Sequence, residues 1–374
     1  MRRLGVLRDM DVKFMDRIFQ AHVPYSGSLE LTHRCNLACR HCYQFPARDG
    51  ELGISDWKGI LRQLADCGCL FLSFTGGEPL LREDFYELIS EAAELRFAVT
   101  LQTNATLLTG QHVRFLADIP NLRADVSLYG DNPTTHDAFT RVEGSFAATR
   151  KALEMLLEGG IPVLLKVTVG SFNYKEMEGI AALANAMGVK AVFSAFIFPR
   201  NDRDAAPTAL RLDDARLEDF FRFETEYMLD QLGVMLGMEG ETLTYEDLVS
   251  HLSRCALGPG EASGEEHRRC GGGSTVFAVN PYGDVYPCIA FPLVVGNLRE
   301  QAFSSLWKKS PQLERLRENE GVIPSPCREC SLLDSCALCM ALSYLEGGEG
   351  IYYSGERCRQ TRILISAIEA LRDG

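Results

Sequence analysis

Between residue 28 and about residue 198, short apolar runs of β type alternate with longer stretches whose apolar residues recur three and four apart, and few folds accept that alternation. Strands are expected near Leu29 to Leu31, Leu70 to Phe74, Phe97 to Gln102, Leu122 to Leu128, Val163 to Val169 and Ala191 to Phe198. Helices are expected between them, near Asp56 to Ala65, Arg82 to Leu95, Gly110 to Ala117, Ser145 to Leu157 and Lys175 to Met187. Right-handed crossovers between successive parallel strands curl such a chain into an α/β partial (β/α)6 barrel, whose working loops follow the C-terminal strand ends.

The remainder of the chain reads differently. Residues 199–207 are polar with two prolines and form a loop, and Asp213 to about Leu252 is amphipathic and helical. From Ser253 glycine, proline and cysteine become dense and periodicity fades, which describes a small loop-rich domain that needs staples to hold its fold. The expected organisation is therefore an N-terminal extension at 1–27, the partial barrel at 28–200, a helical bridge at 201–252, a cysteine-rich domain at 253–360 and a C-terminal helix at 361–374.

Charge and hydropathy narrow the function classes. Lys and Arg number 38 against 51 Asp and Glu, a net charge of −13 with a pI near 5.1, which gives no broad attraction to nucleic acid or anionic lipid. The longest apolar runs fall short of the roughly 20 residues that span a bilayer, and acidic and basic residues interrupt the N-terminus where a secretory signal would be apolar. A cytoplasmic location is expected, with neither nucleic acid nor membrane as partner. In that compartment the 13 cysteines read as metal ligands or catalytic thiols rather than disulfides.

Three of them, Cys35, Cys39 and Cys42, share one loop after the first expected strand, spaced C-x3-C-x2-C. Three thiolates can hold three irons of a [4Fe–4S] cubane and leave the fourth iron open, whereas a closed zinc site wants four ligands. At the end of the second strand stands Thr75-Gly76-Gly77-Glu78-Pro79, where glycines allow close backbone approach to a ligand and an anionic Glu78 would favour an ammonium. The C-terminal region holds Cys255, then Cys270-x12-Gly283-x4-Cys288, then Cys327-x2-Cys330-x5-Cys336-x2-Cys339, and finally Cys358. Taken alone, the paired C-x2-C units of this region are equally compatible with a zinc ribbon. Cys67 and Cys69 stand outside both constellations and read as buried structural thiols.

The loop triad, with His41 in the aromatic slot before Cys42, and the Gly76-Gly77-Glu78-Pro79 segment resemble the radical S-adenosylmethionine (SAM) superfamily, and the C-terminal cysteines resemble its SPASM extension. The resemblance implies SAM and three [4Fe–4S] clusters as cofactors. Cys35, Cys39 and Cys42 would hold the SAM-binding cluster, whose open iron is chelated by the methionine moiety of SAM before cleavage to a 5′-deoxyadenosyl radical. It implies SAM contacts from the backbone near His41, from Gly76, Gly77 and Glu78, and from Ser127 and Arg141. Of two auxiliary clusters, one would take Cys255, Cys270, Cys288 and Cys339 and the other Cys327, Cys330, Cys336 and Cys358. The chain departs from the usual pattern in having two residues rather than three between Cys336 and Cys339.

The SPASM-bearing members act mainly on peptides and proteins, so the resemblance implies an oxidoreductase that cross-links or desaturates a peptide or protein, served by a flavodoxin or ferredoxin reductant. Sulfatase-maturing relatives carry an aspartate where this chain has Ile289, which argues against that activity, and the sequence names no catalytic acid or base. The 27 residues before the first strand are too few for a winged-helix peptide-recognition domain. Recognition is expected from a separate protein, or from the helical bridge with the 199–207 loop. Two other readings stay open: a radical SAM enzyme acting on a small molecule such as a tetrapyrrole, and a non-catalytic iron–sulfur carrier or zinc-binding protein.

Overall fold

A computed structural model describes residues 14–236, 270–318, 325–333, 336, 339–347 and 353–373. They divide into two compact units, one built from Pro24–Arg211 with Gly272–Leu316, the other from described residues before 24, between 212 and 271, and after 316. The region expected as one domain at 253–360 is thus shared between the units.

In the first unit the chain runs β1 (Ser26–Thr32), α1 (Ile54–Asp66), β2 (Phe71–Gly76), α2 (Phe85–Glu94), β3 (Ala98–Thr103), α3 (Gly110–Ala117), β4 (Leu122–Ser127), α4 (Pro133–Thr140), α5 (Ser145–Glu158), β5 (Val163–Thr168), α6 (Met177–Ala186) and β6 (Lys190–Ser194). The helix α7 (Asp214–Leu236) belongs to the second unit, after which the first resumes with β7 (Val276–Val279), β8 (Asp284–Tyr286), β9 (Gly296–Asn297) and α8 (Phe303–Lys309). The nine strands form one sheet in the order β6-β5-β4-β3-β2-β1-β7-β8-β9. β1 to β6 are parallel, as the alternation of strand and helix patterns predicts.

Strand residues alternate between two surroundings. Leu29, Phe74, Leu101, Ala124, Val126, Leu165 and Val167 are fully buried, and the helices supply the matching core with Trp57, Leu61, Leu88, Leu153 and Ile180. Two features exceed the sequence expectation. The first is α4, too short and too polar for a clear apolar period; it is fixed instead by its start, where Asn132 accepts from the Thr135 amide at 3.1 Å and Pro133 takes the first turn. The second is the continuation of the sheet beyond β1. β7 pairs with β1 in parallel, Ser26 opposite Val276, and β8 and β9 follow antiparallel. The ring of Phe277 lies directly on Gly27, where an added Cβ would come within 2.3 Å of it, and on its other side packs against Phe303 and Trp307 at centroid distances of 4.9 and 5.9 Å. Glycine at position 27 is what lets β7 close on β1.

α9 (Pro311–Glu318) lies largely in the first unit, and the second contains α10 (Ser325–Arg328), α11 (Met340–Leu345) and α12 (Gly355–Asp373). α12 is tied to the start of α7 by Arg359, which donates to the Asp214 carboxylate at 2.6 Å and the Leu212 carbonyl at 2.7 Å. Among the described residues no helix is long and apolar enough to cross a membrane.

Candidate functional site

The loops that follow β1 and β2 are joined backbone to backbone. The Gly77 amide donates to the Thr32 carbonyl at 2.7 Å and the Glu78 amide to the Arg34 carbonyl at 2.9 Å. A Cβ on Gly76 would lie 2.2 Å from the Thr32 oxygen, and one on Gly77 would lie 2.1 Å from that of Arg34. Only glycine permits the contact, and Gly76 also adopts a positive φ of 132°. The two segments carrying the cysteine triad and the Gly-Gly-Glu-Pro run are therefore one structural piece at the C-terminal ends of adjacent strands.

Glu78 turns into the protein. It is fully buried, accepting from the Thr103 hydroxyl and the Asn104 amide, both at 2.8 Å, and from the Leu80 amide at 3.2 Å. Burial pushes its carboxyl up to about 7. Asn104, so positioned, donates to Asn36 at 3.0 Å and reaches the Cys35 sulfur at 3.9 Å. The order Glu78, Asn104, Cys35 links the third strand end to the triad.

The cysteine loop is held from its other side by α4. The amides of Ala38 and Arg40 donate to the carbonyls of Thr140 and Phe139 at 3.0 and 3.2 Å, satisfying groups that a helix C-terminus leaves without intrahelical partners. Arg141 ends this helix in the left-handed region at φ 60°, exposed and adjacent to the two carbonyls that carry the loop. The His41 ring lies against Tyr129 and Phe139 at 5.0 and 4.9 Å, and desolvation lowers its pKa to about 4, so it is a neutral aromatic surface near pH 7. Ser127 hydrogen-bonds the Tyr129 side chain, whose hydroxyl burial and the neighbouring Cys39 both push upward.

The three thiols sense one another. Burial, reinforced by Cys42 and Cys35, pushes Cys39 up to about 12, and burial also raises Cys35 and Cys42. Iron binding here must displace protons, and a metal's positive charge reverses each of these shifts. Among the described residues no three His, Cys, Asp or Glu side chains gather tightly enough for a single metal ion. Three free thiols on one loop, near enough to interact yet not converging on one point, suit the separate corners of an iron–sulfur cluster.

Among the described residues the second set of cysteines forms no disulfide. Cys288 follows β8 in the first unit, and the buried Tyr43 phenol is near both Cys288 and Cys42, with Glu30 beside it. Glu30 lies on β1, bonded to His33 and Gln44 at 3.2 Å each. Cys270, Cys327, Cys330, Cys336, Cys339 and Cys358 belong to the second unit. Burial raises the Cys327 thiol, and Cys336, Cys330 and Cys358 add to the shift, so these four are brought together. Cys255 lies outside the described residues. Cys69 is buried and Cys67 partly so. Sequence reasoning missed Tyr129, Tyr43, Glu30 and Arg357; each lies at a strand end or within two residues of a singled-out position, Tyr43 directly after Cys42 and Arg357 directly before Cys358.

Comparison with known proteins bears on the same residues. Residues 29–184 match the radical SAM superfamily and residues 270–331 an iron–sulfur cluster-binding domain, SPASM. The mycofactocin maturase MftC of Mycolicibacterium smegmatis is 31% identical over 87% of this chain and 80% of its own length. The AdoMet-dependent heme synthase of Methanosarcina barkeri is 29% identical over 89% of this chain and 95% of its own. Streptococcus suis SuiB, solved with its precursor peptide SuiA, superposes with a TM-score of 0.68 at 21% identity, covering 91% of this chain and 78% of SuiB.

Proposed function

The chain belongs to the radical SAM superfamily and carries a SPASM domain, and from that premise we propose that it oxidatively modifies a peptide or protein, removing two hydrogens to make a cross-link or a double bond. The observation that carries this reading is the joining of the cysteine loop to the Gly76-Gly77 segment by paired backbone hydrogen bonds. Cys35, Cys39 and Cys42 would hold the cluster that binds SAM; together they supply radical hydrogen abstraction when bound. The roles of this chain's own residues follow from their placement. Gly76 and Gly77 let their segment close on the backbone of the cysteine loop and so set where SAM would meet the cluster, and Glu78 holds Asn104 toward Cys35 rather than offering a free carboxylate. His41 presents a neutral ring edge beside Tyr129, Ser127 orients the Tyr129 hydroxyl, and Arg141 offers a cation for a carboxylate at the rim of the loop. Cys327, Cys330, Cys336 and Cys358 would hold one auxiliary [4Fe–4S] cluster, and Cys288 would serve another.

The peptide class is supported by the maturase relative and by the peptide-bound relative of the same fold. The similarity to a heme synthase over nearly its whole length favours a second reading, radical SAM chemistry on a tetrapyrrole. In this reading a flavodoxin or ferredoxin supplies the low-potential electron, and the peptide is received either by a separate protein or by the helical bridge with the 199–207 loop. The reconstituted chain, incubated anaerobically with SAM, a reductant and the short peptide encoded nearest its gene, should yield deoxyadenosine together with a peptide lighter by two hydrogens. Deoxyadenosine formed only when an iron-porphyrinoid replaces the peptide would establish the second reading instead.

A further inference from the structure

At the start of α12 two side chains, Arg357 and Thr361, converge on the Cys336 sulfur. Ser354 caps the helix, its hydroxyl accepting from the Arg357 amide at 3.1 Å while its carbonyl accepts from the Cys358 amide at 3.0 Å. That cap places Arg357, Cys358 and Thr361 within the first two turns. The Arg357 guanidinium hydrogen-bonds the Cys336 sulfur and lies close to Cys339 and to Glu224 on α7. The Thr361 hydroxyl is 3.5 Å from the same sulfur and 3.0 Å from the Arg357 carbonyl, so its single proton is shared between them and the guanidinium is the steady donor. Burial pushes the Glu224 carboxyl up to about 8, and near neutral pH it is mostly protonated. Its charge therefore does little to cancel that of Arg357.

Resting on the auxiliary-cluster reading above, we infer that Arg357 sets the reduction potential of the cluster held by Cys327, Cys330, Cys336 and Cys358. Accepting one electron adds one negative charge to a cluster already made anionic by four thiolates. A half-buried cation bonded to a ligand sulfur stabilises the reduced form more than the oxidised one and so raises the potential. In the proposed reaction the electron comes from the substrate radical left after hydrogen abstraction, with the accompanying proton released to solvent, and a raised potential makes this cluster the acceptor. Arg357 touches neither substrate nor SAM in this scheme; it acts through the cluster.

The test is a redox titration of the reconstituted full chain followed by electron paramagnetic resonance, with Cys336→Ala identifying the signal that belongs to this cluster. Arg357→Gln is expected to move that signal to more negative potential at unchanged iron content, Arg357→Lys to restore most of the shift, and neither to move the signal that depends on Cys35, Cys39 and Cys42. Should Arg357→Gln fail to load its iron, Arg357→Met, which keeps the stem without the charge, takes its place with the same expected fall. An unmoved potential in the loaded uncharged variant, or an equal fall in Arg357→Lys, would overturn the inference while leaving the cluster in place. Iron content and spectrum indifferent to Cys336→Ala would remove the auxiliary-cluster reading itself and the inference with it.

Discussion

The carboxyl of Glu78 is clasped between the ends of β2 and β3, and its burial couples that clasp to pH. Because its pKa rises from 4.5 to about 7, the folded state holds a proton that the unfolded chain has lost. The contribution of this group to stability is therefore greatest below 4.5 and is lost as pH rises toward 7, with a slope of at most about 1.4 kcal/mol per pH unit. Denaturant unfolding of the iron-free protein between pH 5 and 7 should show this slope, and Glu78→Gln should flatten it by one proton. His41 has the opposite sign. Its pKa falls to about 4, so its contribution is present above 6.5 and lost as pH drops toward 4. His41→Phe should keep the packing on Tyr129 and Phe139 and remove that acid sensitivity, whereas His41→Ala should cost about 1–3 kcal/mol in the denaturant midpoint. Neither side chain's state is legible in sequence, since each depends on what the fold places around it. The cysteines are different: their spacing alone says that Cys35, Cys39 and Cys42 act together, because a loop of eight residues cannot separate them.

Individual elements show where sequence periodicity stops informing. β1 to β6 are legible because each carries a short run with buried apolar residues, such as Leu29 and Leu31 or Val99 and Leu101, and a helix separates each from the next. β7 is four residues in a stretch rich in glycine, proline and cysteine, and its pairing with β1 and β8 makes it a strand. α4 escapes because its buried residues are few, His136, Phe139 and Thr140, and its identity rests on caps rather than on a stripe. The β1–β7 junction makes a prediction at this scale. Gly27→Ala drives a methyl into the Phe277 ring, which Phe303 and Trp307 hold from behind, and should cost about 1–3 kcal/mol in a denaturant titration. Gly59→Ala, with open space around the added methyl in the middle of α1, should stabilise by about 0.5–1 kcal/mol and serves as the contrasting variant.

For the whole molecule, the proposed clusters make iron a direct readout. Replacing Cys35, Cys39 and Cys42 together by alanine should remove about four irons per chain and abolish SAM cleavage, while the far-ultraviolet circular dichroism stays that of the wild type. Loss of helix and strand signal along with the iron would show instead that the cluster holds the barrel together. The hydrogen bonds from Ala38 and Arg40 to α4, and from Gly77 and Glu78 to the β1 loop, are the reason to expect the fold to survive. Chain order carries a further cost for this architecture. β1 is made about 250 residues before β7, yet one of its two edges is covered only by that later strand, with Ser26 waiting for Val276. Throughout synthesis of the intervening chain a nearly complete barrel exposes an open strand edge, and the nascent protein is a natural client for chaperones until β7 emerges.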